Sequence, residues 1–125
     1  MNWDFRSDLP IYSQLIQKIK YAIASGELCP GSQMKSVRDL ALEAKVNPNT
    51  MQRALSELER DGLLYSQRTS GRFVTEDISV IDALKSTLAA EHIKNFLGAM
   101  ESIGIDRTQA MRLINDFEEN ENGNN

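Results

Sequence analysis

The 125-residue sequence is poor in the residues that build covalent or metal-based sites, with one cysteine, one histidine and three prolines. Because Cys29 has no second cysteine to pair with in the chain, an internal disulfide is excluded and a reducing compartment is the default. The sequence contains no Cys-x-x-Cys and no His-Glu-x-x-His motif, so no metal or other cofactor is expected. No catalytic arrangement can be assembled around Cys29 or His92, and we expect a protein that is not an enzyme.

Long apolar runs are also missing. No stretch approaches the roughly 20 apolar residues of a membrane-spanning helix, and the first six residues lack the basic and apolar regions of a signal peptide. The apolar fraction of 41% is sufficient for a core, and the length fits one compact domain or a small domain with an appendage. We therefore expect a cytoplasmic protein that does not contact the membrane.

An overall excess of positive charge is absent, since the net charge is -4. The charge is unevenly distributed: residues 1–76 carry a net charge of +1, residues 77–125 carry -5, and residues 35–72 carry +2. The charge by itself does not indicate nucleic acid binding, but it is compatible with a local basic surface on the N-terminal part.

Residues 47–60 form the most clearly patterned stretch and predict one helix. Asn47 is a suitable N-cap, Pro48 fits the first helical position, and Gly62 is suited to end the helix. Apolar residues at helical spacing predict one buried stripe, made of Met51, Ala54, Leu55 and Leu58. The opposite face carries short polar groups and one arginine, a composition suited to a groove of DNA: Asn49, Thr50, Gln52, Arg53 and Ser56.

The elements around this helix predict a winged helix-turn-helix. Ser36, with Asp39 three residues later, is typical of the start of a shorter helix, and a tight connection at residues 45–46 joins it to Asn47. Apolar strand candidates at residues 63–65 and 73–75 flank a polar loop at 66–72 that contains two arginines. Residues 33–34 are a further short strand candidate that would pair with this wing.

The N-terminal segment predicts an arm and a first helix. The helix is opened by Pro10 and closed by Gly26, with apolar residues at helical spacing between them. Trp3 and Phe5 precede it, and three interpretations are open. They are an arm packed on this domain, an arm packed on a partner subunit, and a hydrophobic staple for the first helix.

The C-terminal part predicts two helices after a boundary at Glu76–Asp77. Residues 78–103 indicate one long helix, and the capping-box pattern Asp106 to Gln109 indicates a short second helix. Residues 118–125 are polar and predicted to be disordered. Two such helices cannot bury their own apolar residues, so a second copy of the chain or their own domain must cover them. They also leave little volume for a ligand pocket of about 300 Å³, although a site between subunits stays open.

Several motifs, in order and spacing, resemble the winged-helix domain of GntR-family transcriptional regulators over about half of the chain. They are Pro-Ile-Tyr-Ser-Gln-Leu at 10–15, Ile-Ala-Ser-Gly-Glu-Leu at 23–28, Pro-Gly at 30–31, Ser-Val-Arg-Asp-Leu-Ala at 36–41, Asn-Pro-Asn-Thr at 47–50, Arg-Ala-Leu at 53–55, Leu-Glu-Arg-Asp-Gly-Leu at 58–63 and Gly-Arg-Phe-Val at 71–74. The Ser-Val-Arg and Asn-Pro-Asn-Thr forms, with the short C-terminal part, resemble the YtrA subfamily. Lys35 replaces a usual proline and the wing lacks the usual double glycine, which affects the expected DNA sequence preference rather than the fold.

This resemblance implies an α+β, mostly α fold, with a winged helix-turn-helix domain at 1–76, a helical dimerisation segment at 77–117 and a disordered tail at 118–125. It implies a repressor that binds an inverted-repeat operator in double-stranded DNA as a homodimer. The alternative, slightly favoured by the acidic balance and the altered wing, is a winged helix that binds a protein and has lost DNA binding. Nothing in the sequence identifies a small-molecule effector.

The expected DNA-binding residues divide by role, although each is also compatible with an ordinary solvated surface position. Asn49, Gln52 and Arg53 are candidates for base edges or phosphates, and Ser36 and Thr50 for phosphates at helix N-termini. Arg38 matches the family's DNA-contacting arginine, and Arg68 and Arg72 suit the DNA backbone or the minor groove. The full predicted set is Lys35, Ser36, Arg38, Asn47, Asn49, Thr50, Gln52, Arg53, Arg68, Thr69, Gly71 and Arg72.

Overall fold

A computed structural model of the chain describes residues 1–123, with side chains described as far as Glu118. The elements in chain order are α1 (Ile11–Ser25), α2 (Val37–Ala44), α3 (Pro48–Arg60), β1 (Leu64–Gln67), β2 (Gly71–Val74), α4 (Ile78–Ser102) and α5 (Arg107–Gly123). This is the predicted α+β, mostly α class. The chain forms two compact units, the first ending at Lys85 and the second beginning at Ser86.

The core of the first unit lies where α1 and α3 pack together, with α2 and β1 also packed on α3. Its largest side chains are fully buried because the apolar residues of α1 and α3 recur at helical spacing and face each other. On α1 and α3 they are Leu15, Ile19, Ile23, Met51, Leu55 and Leu58, and the strands add Leu64 and Val74. The buried stripe predicted for α3 is confirmed, which leaves the opposite face of that helix to solvent.

The helix-turn-helix is fixed by local hydrogen bonds at both helix starts. The Ser36 hydroxyl accepts a hydrogen bond from the Asp39 backbone N–H at 3.1 Å, and the Asn47 side chain accepts one from the Asn49 N–H at 2.8 Å. Lys45 ends α2 in the left-handed conformation, at φ 59°, which turns the chain directly into the cap of α3. Both predicted caps are therefore confirmed.

The wing is a two-stranded antiparallel hairpin in which Ser66 lies opposite Arg72. The strands are longer toward the tip than predicted, because polar residues of an exposed hairpin satisfy the backbone ladder as well as apolar ones do. The connecting loop is thus residues 68–70 instead of 66–72. Gly71 adopts φ +106°, a conformation that side-chain-bearing residues rarely adopt. The expected pairing of residues 33–34 is confirmed, since the Met34 N–H donates to the Arg72 carbonyl at 2.8 Å.

The N-terminal arm packs on its own domain, the first of the three open interpretations. The indole Nε1 of Trp3 donates to a carboxylate oxygen of Glu43 on α2 at 3.2 Å. The ring of Phe5 lies 6.4 Å from that of Trp3 and 5.4 Å from the Lys18 ammonium on α1. The arm therefore joins α1 to α2 on the side where Lys35 also lies.

The C-terminal helices begin with side-chain caps. Asp77 accepts hydrogen bonds from the N–H and hydroxyl of Ser79, at 3.0 Å and 2.6 Å, and these bonds hold the pKa of Asp77 below its usual range. The predicted capping box of α5 forms in both directions: the Gln109 N–H donates to Asp106 at 2.8 Å, and the Asp106 N–H donates to Gln109 at 3.0 Å.

Two predicted boundaries differ from the structure. The first unit includes the start of α4, where Ile81 and Leu84 are buried, so it extends beyond Glu76. Helix α5 continues to Gly123, past the start of the tail predicted to be disordered from Glu118, because a polar segment with few helix breakers can extend a capped helix. Residues 124 and 125 of that predicted tail lie outside the described residues.

Candidate nucleic-acid interface

The exposed face of α3 carries the residues predicted to read DNA. Asn49 is in the first turn, Gln52 and Arg53 follow one turn later, and Ser56 one turn after that. Residues three and four positions apart are neighbours on a helix surface, so these side chains form one continuous polar strip. Asn49, Gln52 and Arg53 are exposed, whereas Thr50 is half-buried. Asn47 lies at the start of this strip as the helix cap.

The side chain of Arg53 extends from this strip toward α1. Its guanidinium carbon lies 4.8 Å from the centre of the Tyr12 ring, a cation–π distance. Tyr12 was not among the predicted DNA-binding residues. Its contact with Arg53 follows from the packing of α1 against α3, which the spacing of residues within each helix does not give.

The start of α2 presents a second group of predicted residues. Arg38 is exposed in the first turn and makes no hydrogen bond or ion pair within the described part of the chain. Ser36 is already engaged as the helix cap. Lys35 forms an ion pair with Glu43 at 2.8 Å, and this hydrogen-bonded partner raises the pKa of Lys35. Arg38 is therefore the cation of this group that is available to a ligand.

The tip of the wing is exposed and basic. Arg68 and Thr69 lie in the turn between the strands, and both are exposed. The Gln33 side-chain amide donates to the Ser70 carbonyl, and a Cβ placed on Gly71 would lie 3.4 Å from the Gln33 Nε2. Gln33, which was predicted to pair with the wing but not to belong to the site, thus holds the turn that presents Arg68.

The arginine of strand β2, Arg72, is placed differently from the prediction. Arg72 does not extend into solvent: its side chain is 17% exposed and its Nε donates to a carboxylate oxygen of Glu59 on α3 at 2.9 Å. The same oxygen accepts a hydrogen bond from the Ser66 hydroxyl. The bond from Ser66 is the largest influence that lowers the pKa of Glu59, and Arg72 lowers it further against the opposing effect of burial.

Glu59 and Ser66 were therefore missed by the sequence interpretation. Glu59 lies seven residues after Gln52 on α3, so helical periodicity could have placed it on the same face. Its contact with the wing depends on the strand register that sets Ser66 opposite Arg72. This register could not be predicted, because both residues were assigned to the loop between the strands.

The second unit has an apolar groove between α4 and α5, called here the α4–α5 groove. Its volume is about 460 Å³ and its lining residues are Phe96, Met100, Leu113, Ile114, Asp116 and Phe117. The expectation that these helices leave little volume for a pocket of about 300 Å³ is therefore wrong, because residues 113–117 of α5 and residues 96–100 of α4 enclose an open groove between them. Phe117 is 69% exposed.

Among the described residues, there is no group of three or more His, Cys, Asp or Glu side chains placed to hold a metal ion. Within that same part of the chain, every helix is too short or too polar to cross a membrane.

Two short capped helices joined by a tight turn and followed by a two-stranded hairpin define a winged helix-turn-helix protein. The family of bacterial regulatory proteins named gntR matches residues 11–74. The chain belongs to the GntR family, which confirms the resemblance drawn from its motifs. It is a transcriptional regulator with a DNA-binding domain, and the expectation that it is not an enzyme agrees with that family.

Similarity to individual proteins extends beyond this domain. The HTH-type transcriptional regulator YhcF of Bacillus subtilis is 38% identical over 119 residues, covering 95% of this chain and 98% of that protein. The HTH-type transcriptional repressor YtrA of the same organism is 35% identical over 104 residues, covering 82% and 80% respectively. Both winged and C-terminal parts therefore have counterparts in these relatives.

Solved structures of related regulators show the same fold. A GntR family transcriptional regulator from Listeria monocytogenes is 34% identical and superposes with a TM-score of 0.82, covering 90% of this chain and 98% of that one. The DNA-binding domain of AraR, solved in complex with operator ORR3, is 29% identical with a TM-score of 0.51, covering 60% and 88%.

Proposed function

We propose that this chain is a transcriptional repressor that binds an inverted-repeat operator in double-stranded DNA as a homodimer. The observation that carries the proposal is the polar strip of α3, which is exposed beside a wing with a basic tip. Repression is the role given in the name of its relative YtrA, and AraR binds its operator with a domain of similar fold. No cofactor is part of this proposal, and the protein acts in the cytoplasm, where a bacterial chromosome lies.

In this proposal α3 enters the major groove. The groove is wide enough for a helix and offers donors and acceptors that polar side chains distinguish. Asn49 and Gln52 contact base edges, while Arg53 contacts a base edge or a phosphate. Arg38, Thr50 and Arg68 contact the DNA backbone. Lys35 joins the backbone contacts only when it leaves Glu43, since the two are ion-paired in the free protein.

The second unit supplies the dimer contact through the α4–α5 groove. Four large apolar side chains of α5 are exposed by between 45% and 69%: Met111, Leu113, Ile114 and Phe117. Exposed apolar clusters of this kind are typical of protein–protein contacts. A twofold dimer presents two recognition helices to half-sites about one helical turn, or a multiple of it, apart, and the matching DNA is an inverted repeat.

The test is selection of bound fragments from random duplex DNA by the full-length protein, followed by affinity measurements across a salt series. We expect an enriched inverted repeat and an affinity that falls steeply with salt, because bound cations release counterions from DNA. The variant Arg38→Ala should weaken binding to all sequences. Gln52→Ala should relax preference at particular base pairs, by roughly 1–3 kcal/mol.

The outcomes separate the proposal from its rival. A protein that enriches no sequence and binds no genomic fragment at low salt is not an operator-binding repressor, and the protein-binding winged helix then becomes the better hypothesis. Equal losses on every sequence from Gln52→Ala would show that Gln52 is not a base reader.

A further inference from the structure

We propose that Arg72 and Glu59 are positioning residues that orient the Gln52 amide, so that Gln52 offers a hydrogen-bond donor to the base it contacts. The inference rests on the proposed function, in which Gln52 reads a base edge, and it assigns the preference of that contact. It replaces the predicted contact of Arg72 with the DNA backbone or minor groove.

The first step concerns how Arg72 is held. One carboxylate oxygen of Glu59 accepts both from the Arg72 Nε, at 2.9 Å, and from the Ser66 hydroxyl. Ser66 and Arg72 are opposite each other in the hairpin, so this oxygen ties both strands of the wing to α3. With 17% of its side chain exposed, Arg72 is fixed against α3 from within strand β2, in contrast to the exposed Arg68 in the turn at the tip of the wing.

The second step concerns the direction of the Gln52 amide. A guanidinium group has only donors, so the atom of Gln52 that faces it is the amide oxygen, and the Arg72 guanidinium lies 3.4 Å from that oxygen. On the other side, the Gln52 Nε2 donates to the Ser56 hydroxyl at 3.2 Å. Both neighbours therefore favour the same orientation of the amide.

The consequence for DNA follows from the hydrogen-bonding capacity of an amide. Its nitrogen has two N–H groups, and only one is used by Ser56, while its oxygen faces a positive charge. Gln52 then favours acceptor groups in the major groove, such as guanine N7 and O6 or thymine O4. A freely rotating glutamine instead pairs with adenine through both its oxygen and its nitrogen. Arg72 thus shifts the preferred base at this position away from adenine.

The experiment compares wild-type, Arg72→Met and Arg68→Met full-length proteins by selection from random duplex DNA and by salt titration. The same substitution is made at two wing arginines, Arg72 in strand β2 and Arg68 in the turn at the tip. Arg72→Met should move the preference at one position of each half-site toward adenine by about five- to a hundredfold, the range of a good base contact, and should leave the salt slope unchanged. Arg68→Met should lower the salt slope by about 0.9 per subunit and leave the base preference unchanged.

Two additional variants distinguish the proposed effect from a folding defect. Glu59→Gln keeps the side-chain size and an acceptor for Ser66 but removes the charge that holds Arg72, so it should shift the same base position by a smaller factor. In a Gln52→Ala protein, Arg72→Met should change no base preference, because the residue through which it acts is gone. Circular dichroism checks that each variant is folded.

Each result supports or overturns the inference. If Arg72→Met lowers the salt slope as Arg68→Met does and leaves all base preferences intact, Arg72 contacts phosphate directly and the inference is wrong. If its effect persists in the Gln52→Ala background, Arg72 does not act through Gln52. A wild-type protein that enriches no sequence overturns the proposed function, and the inference with it.

Discussion

The two units of this chain differ in how completely their large apolar side chains are buried. In the first, α1 and α3 bury large side chains completely, as at Ile19 and Leu55. In the second, Ile93 on α4 is 58% exposed and Phe117 on α5 is 69% exposed. The first unit has enough elements to cover each helix with another, whereas the described part of the second consists of helical segments from α4 and α5 alone. The first unit thus buries its own core, and the exposed apolar residues of the second are what motivates the proposed contact with a second copy.

The largest expected effect concerns the exposed apolar residues of the second unit. Phe117→Glu places a charge in the α4–α5 groove and should make the protein monomeric. Operator affinity should fall by about 10²–10⁴-fold, because the second half-site is no longer met at the high effective concentration that a dimer provides. Sedimentation measures the mass, and operator titration measures the affinity.

The matched control is Leu42→Glu on α2, since Leu42 is also 69% exposed but lies in the first unit. It should leave the mass in sedimentation unchanged. If Phe117→Glu stays dimeric, or if the wild-type protein is monomeric at micromolar concentration, the groove is not the dimer contact.

The next largest effect concerns the buried core of the first unit. Leu55→Ala removes a side chain with 0% exposure from α3 and should lower the free energy of unfolding by about 2–5 kcal/mol, through lost burial and a residual cavity. Ile103→Ala, at a position that is 70% exposed, should change it by less than about 0.5 kcal/mol. Urea unfolding followed by circular dichroism measures both. Similar losses from the two variants would show that Ile103, which does not line the α4–α5 groove, is nevertheless buried in solution.

Features that depend on residues close together in the chain could be predicted from the sequence alone. Caps at Ser36, Asn47 and Asp106 were predicted correctly, because each is a short-range hydrogen bond between a side chain and a nearby backbone N–H. The buried stripe of α3 was predicted from periodicity alone. The family motifs then joined these elements into one known fold.

Features that depend on the meeting of distant elements were not predictable in this way. The strands extend into residues that looked like a loop, since backbone pairing does not require apolar side chains. Arg72 was predicted to face DNA, yet it is paired with Glu59, thirteen positions earlier in the chain. Arg53 likewise lies against Tyr12. Whether a cation is free or paired depends on packing between elements, which spacing along one helix does not give.

The smallest expected effect compares the same kind of helix cap in the two units. Asn47→Ala removes the acceptor for the Asn49 N–H and should lower the free energy of unfolding by about 1 kcal/mol. The loss should be global, because α3 carries the core of the first unit. Asp106→Ala removes the acceptor for the Gln109 N–H at a similar local cost. We expect this second loss only in α5, as faster amide hydrogen exchange in its first turns. Exchange in α1 and α3 should be unchanged by Asp106→Ala and faster in Asn47→Ala, because the two units open independently. If Asp106→Ala speeds exchange in α1 and α3 as much as Asn47→Ala does, the units unfold as one cooperative structure, and the contrast in burial does not reflect a contrast in stability.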